Sequence, residues 1–207
     1  MPVSKDLFGQ GMPQTVCMTV CEVPSHPEVH PALLSRFSPV RFDPAATATS
    51  AQLDTLLDAA RKAPSAGNSQ PWMFIAGLRG DGVHSRIVRH LARSSLVWAP
   101  SASLLVVNLA HVLVEDTNDW EYSEFSRYDL GQAVAHMTIQ GLSIGLDAHQ
   151  FRAFDRAAVA AEFAVPPHWE VTSMTAFGVA AHAAGDVTSP GTSRDRASRR
   201  EITWARA

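Results

Sequence analysis

The sequence is short of cysteine, of charge and of long apolar runs. Its 207 residues include two Cys and 18% charged side chains, against about a quarter charged in an average soluble domain. Two thiols cannot staple a chain of this length, so a disulfide scaffold is excluded. A chain this long buries roughly 70% of its unfolded surface and needs no staples. No stretch approaches the roughly 18 unbroken apolar residues of a membrane span; the longest candidate, 101–114, is interrupted by Asn108 and His111. Residues 1–14 carry only Lys5 as a cation and lack the apolar stretch of a secretory signal, so a cytoplasmic location is the expectation. Neither a G-x-G-x-x-G nor a G-x-x-x-x-G-K-[ST] pattern occurs, which removes the usual dinucleotide and P-loop signatures.

Charge is also unevenly spread. Residues 191–207 hold five Arg (194, 196, 199, 200, 206) against Asp195 and Glu201, a net +3, leaving −6 for the rest. One short basic tail is not the broad basic face that nucleic acid requires, but it can serve a small anion. The shortage of charge, made up largely by Ala, also suggests surface hidden in a subunit contact.

Five prolines break residues 1–31 (2, 13, 24, 27, 31), which read as an arm preceding a single domain over 32–207. Within the domain, Leu53, Leu56, Leu57 and Ala60 recur at helical spacing over 49–62, with Thr49 or Ser50 as N-cap and Pro64 as the stop. Strands are expected over 72–78, 103–109, 148–154 and 171–181, and helices over 83–91 and 155–163. The longest helix spans 128–146, where Leu130, Val134, Met137, Gly141 and Ile144 fall on one face. Residues 115–124, with five acids, form a solvated loop, and the tail beyond Gly185 is extended. Interleaved strands and helices give an α/β or α+β domain.

Two catalytic patterns fail on context. Cys17, Cys21, His26 and His30 offer zinc-type ligands, but with a central spacing too short for a finger and two interrupting prolines, so reduced thiols are the simpler reading and no metal is expected. Gly141-Leu142-Ser143-Ile144-Gly145 matches G-x-S-x-G, yet a nucleophile elbow needs a strand before the Ser, and here a helix precedes it.

The most informative segment is Ala60-Arg61-Lys62-Ala63-Pro64-Ser65-Ala66-Gly67-Asn68-Ser69-Gln70-Pro71-Trp72, a helix that stops and opens into small and amide residues. Such a loop can lie against a planar polar ring, or simply join a helix to a strand. It strongly resembles the loop of the FMN-dependent nitroreductase family. Tyr128-Asp129-Leu130-Gly131-Gln132-Ala133-Val134-Ala135-His136 resembles that family's central helix, and 145–155 the segment after it. The resemblance spans about 34–202.

It implies an α+β, three-layer α-β-α fold with a mainly antiparallel central sheet flanked by helices, an intertwined homodimer, and FMN at the dimer interface. It also implies roles for particular residues. Arg36 and Ser38 match phosphate-binding positions; Pro64, Ser65, Ala66 and Asn68 match the loop beside the isoalloxazine, with Gln70 on the same loop. Arg152 and Ala153 match positions whose backbone N–H groups approach the reactive ring edge. Arg196, and after it Arg194, match a C-terminal phosphate-binding Arg. Two departures stand out: Val40 stands where the family has its second cation, so that either phosphate affinity is reduced or Arg41, one residue later, compensates by a local shift; and Arg152-Ala153 stands where the family often has an acidic or Gly residue followed by Gly.

The resemblance implies an oxidoreductase in which the flavin carries the chemistry and no side chain is catalytic. NADH or NADPH reduces it in a ping-pong cycle, and a nitroaromatic, quinone or activated alkene reoxidises it. The alternatives are a flavin oxidase or dehydrogenase of a biosynthetic intermediate, or a flavin-binding protein with little turnover. Neither nucleic acid nor membrane is expected as a partner.

Overall fold

The computed structural model describes residues 28–187 and 193–206; most of the N-terminal arm, including Cys17, Cys21 and His26, lies outside them. Four antiparallel strands form the central sheet: β1 (Trp72–Leu78), β2 (Leu104–His111), β3 (Asp147–Phe151) and β4 (Trp169–Gly178), in spatial order β1-β2-β4-β3. Strand β2 is buried along nearly its whole length, as its unbroken apolar run requires of a strand covered on both faces.

Alternation along the strands splits the core. Leu104, Val106, Ala110 and Phe177 face helices α2 (Ser50–Ala60) and α5 (Ser126–Ser143). Leu105, Val107, Leu109, Met174 and Ala176 face the other way, with Ile87 of α3 (Gly82–Val88) and Val159 of α6 (Arg156–Glu162). The result is the expected α+β, three-layer arrangement. Helix α2 starts with a capping box in which Thr49 Oγ accepts the Gln52 N–H and the Gln52 side chain accepts the Thr49 N–H. Asp155 caps α6 in the same region of backbone space.

Several boundaries differ from the sequence expectation. Helix α5 stops at Ser143 because Gly145 takes φ +80°, reversing the chain into β3. Ser143 therefore ends a helix, with its Oγ donating to the Gln140 carbonyl at 2.8 Å, and no nucleophile elbow forms. Strand β3 ends at Phe151, before the expected 154, because the Phe154 N–H turns back to the Arg152 carbonyl and Phe154 bridges to Leu91. Two short helices are added, α1 (Pro31–Ser35) and α4 (Arg93–Leu96). Among the described residues, no helix is long and apolar enough to cross a membrane.

Candidate functional site

The short helix α1 delivers residues 36–40 to the sheet end where β3 begins and β4 stops. Two histidines pin this segment. His149 of β3 donates from Nδ1 to the Pro39 carbonyl at 2.7 Å and stacks on Trp98, ring centroids 4.4 Å apart. Burial lowers its pKa from the ordinary value, opposed in part by the bond to the Pro39 carbonyl. His182, beyond β4, accepts the Val40 N–H at Nε2 (3.1 Å) while its Nδ1–H donates to the Ala183 carbonyl (2.9 Å).

Between these segments lies a cavity of about 230 Å³ lined by Arg36, Ser38, His182, Ser193, Arg194 and Arg196, among others. Three guanidinium groups meet there, and among the described residues no carboxylate lines the cavity, although Asp195 accepts from the lining Ser193 Oγ at 2.8 Å. Burial first, then the charges of Arg196 and Arg194, lower the pKa of Arg36. Arg194 is the most tied of the three, donating to the carbonyls of Leu34 (2.6 Å) and Arg36 (3.0 Å) and so clamping the end of α1. Among the described residues, Arg196 donates to its neighbour's carbonyl, that of Asp195. Such a cluster is a site for an anion with several acceptor oxygens.

Arg36 and Ser38 also line a second, more open groove of about 420 Å³ with Leu33, Thr138, Ile139 and Gln150. Gln150 donates to Thr138 Oγ at 3.1 Å, setting a polar pair within an apolar trough. The groove follows β3, which is an edge strand, toward Arg152. Arg152 is exposed, and Ala153 is held by its carbonyl, which accepts from the Ala92 N–H and Ser95 Oγ.

The 64–70 loop is built separately. Gly67, Asn68 and Gln70 all take left-handed backbone angles, φ +58°, +56° and +50°. The Gln70 N–H donates to Ser65 Oγ (3.0 Å), closing the loop on itself. Its anchor is buried Asp129 on α5, whose carboxylate accepts the Ala66 N–H at 2.9 Å and the Gln132 amide at 3.3 Å. Pro64 follows buried Ala63, which keeps the loop tight against α2.

The structure thus divides the sequence-expected residues. Arg36, Ser38, Arg194 and Arg196 converge; Arg152 and Ala153 follow the end of β3 and do not line the groove; Pro64, Ser65, Ala66, Asn68 and Gln70 form a compact loop elsewhere. Arg41 does not line the cavity. It precedes buried Phe42 in an extended segment paired with Ala180, so alternation turns its side chain to solvent. Sequence reasoning missed His182, Thr138, Gln150 and Asp129. Only Asp129 had a local signal, a lone carboxylate on an otherwise apolar helix face. The others are joined to the site through long-range contacts.

Comparison with known proteins agrees with this architecture. The nitroreductase family model matches residues 33–95. An FMN-containing oxidoreductase of known structure is 27% identical, over 77% of this chain and 80% of its own, with a TM-score of 0.69. A nitroreductase-type protein from Desulfovibrio desulfuricans, solved in complex with FMN, is 19% identical over 87% of this chain and 99% of its own, TM-score 0.68. A gut-bacterial enone reductase of fatty acid saturation is 16% identical over 76% and 91%, TM-score 0.65. No curated protein is significantly similar in sequence. The chain has the nitroreductase fold, and its sequence resembles that family.

Proposed function

We propose that this chain is one protomer of a homodimeric FMN-dependent oxidoreductase that takes electrons from NADH or NADPH and passes them to an electron-poor acceptor. The observation that carries the reading is the acid-free arginine cavity opening into a groove along β3. The residues present fit FMN: Arg36, Arg196 and Ser38 hold the phosphate, and Arg194 fixes the backbone they stand on. Thr138 and Gln150 offer hydrogen-bonding groups to the polyol. The backbone N–H groups of Arg152 and Ala153 would serve the ring edge, where donors stabilise negative charge whatever the side chain. Bound there, FMN supplies reversible hydride and electron transfer; the protein's part is to position and tune it.

The sheet order supports a two-chain site. The 64–70 loop leads into β1 at one edge, and Arg152 follows β3 at the other, three inter-strand steps or about 14 Å away. A second copy can bring its own Pro64, Ser65, Ala66, Asn68 and Gln70 to the groove. Apolar surface suited to that copy is present: Leu33 and Leu34 are more than half exposed, and Trp204 in the tail is fully so. The low charge of the chain fits the same account. A location in the cytoplasm, where both nicotinamides are available, follows from this reading.

The test is the visible spectrum of the purified protein before and after NADH and NADPH in separate anaerobic cuvettes. A flavin spectrum that bleaches with either donor, and returns on adding a quinone, is expected. Protein that is colourless and gains no flavin absorbance with added FMN overturns the proposal. Substrate-dependent oxygen uptake without a nicotinamide points instead to the oxidase reading.

A further inference from the structure

Among the described residues that line the anion cavity, one ionisable group is not an arginine. His182 lines the cavity beside Arg36, Arg194 and Arg196. Its Nε2 is occupied by the Val40 N–H, and its Nδ1–H by the Ala183 carbonyl, which together define a neutral ring. The Phe37 ring stands edge-on to it at 5.5 Å, so its position is fixed from a second side. Two potential donors to an anion, the Val40 N–H and a protonated Nε2, are therefore spent on each other.

We propose that His182 is the fourth cationic donor of the phosphate site and takes up a proton from solvent as the phosphate dianion binds; this rests on the FMN reading above. Protonated Nε2 can no longer accept from the Val40 N–H, and turns into a donor for the phosphate oxygens of the cavity that His182 lines. An entering dianion favours the charged imidazole by direct attraction, and imidazole is the side chain that ordinarily titrates near neutral pH. The charged groups near the ring include one carboxylate beside the cavity, Asp195, which accepts from the lining Ser193 Oγ at 2.8 Å. Arg36, Arg194 and Arg196 face it across the cavity. Asp186 is engaged by the Ala183 N–H and Asp147 by the Ala180 N–H. Arg41 contributes its backbone carbonyl to Ala181.

The experiment is calorimetric binding of FMN to the flavin-stripped full chain at about pH 7.5, where a phosphate monoester is already largely dianionic. It is run in two buffers of different ionisation enthalpy, with riboflavin and inorganic phosphate as parallel ligands. Wild type is expected to take up protons with FMN and with phosphate but not with riboflavin. The ratio of wild-type to His182→Gln affinity for FMN rises several-fold as pH falls from about 8 to about 6.5. Gln keeps an acceptor for the Val40 N–H, so a purely structural role leaves that ratio flat. Should the variant fold poorly, nitrogen-15 shifts of the wild-type histidine rings decide: His182 becomes cationic on phosphate binding. Absent proton uptake, an unchanged ratio or a ring that stays neutral overturns the proposal. If FMN fails to bind while phosphate still drives protonation, the flavin reading falls and the role of His182 stands.

Discussion

The arginine cavity and the 64–70 loop solve opposite problems. The cavity gathers side chains from distant parts of the sequence, such as Arg36 and Arg194, 158 residues apart, and holds like charges together until an anion arrives. The loop uses seven consecutive positions, spends its side chains on itself, and presents backbone shape. One is built from charge and long-range closure, the other from local dihedral angles and a single buried carboxylate. A ligand with a charged end and a planar end matches that division.

Variants can break the contrast from either side. The largest effect is expected at the cavity: Arg196→Ala or Arg36→Ala removes a charge-assisted contact of about 1.5–3 kcal/mol, weakening FMN by roughly ten- to a hundredfold. Riboflavin affinity, measured by fluorescence quenching, stays within about threefold by the same reasoning. Next comes Asp129→Ala, which leaves the Ala66 N–H without its acceptor at a cost of about 1–3 kcal/mol in denaturant unfolding. It lowers affinity for FMN and riboflavin alike, because it disturbs the ring-facing loop and leaves the phosphate contacts intact. Gly67→Ala is smaller, roughly 1 kcal/mol, for placing a Cβ at φ +58° with open space around it. Arg41→Ala is smallest, within about 0.5 kcal/mol as for an ordinary surface residue. A loss of phosphate-specific affinity at Arg41 as large as that at Arg196 would erase the distinction drawn between them.

What was legible in the sequence follows the same line. The loop could be read because its determinants are contiguous: Pro64 stops a helix, Gly67 and Asn68 accept left-handed angles, and Trp72 opens β1 where expected. Helix α2 and β2 were readable because periodicity is local. The arginine cavity was reachable only through resemblance, since nothing in the spacing of Arg36 and Arg194 says that one will donate to the other's carbonyl. His182 left no signal at all, for its role depends on β4 delivering it opposite Val40, 142 residues away. Arg41 shows the converse: adjacency to Val40 suggested a substitute cation, and one residue of strand alternation turned it outward.

The central claim is that the cavity of one copy and the loop of another share a single flavin. Subunit mixing tests it most directly, pairing an Arg36→Ala/Arg196→Ala chain with an Ala66→Trp chain that blocks the ring seat. Each homodimer should be colourless. The account predicts that the mixed dimer regains one FMN, because one of its two sites combines the intact cavity of one chain with the intact loop of the other. If each site were made within a single chain, the mixed dimer would hold none, and that result would contradict the account.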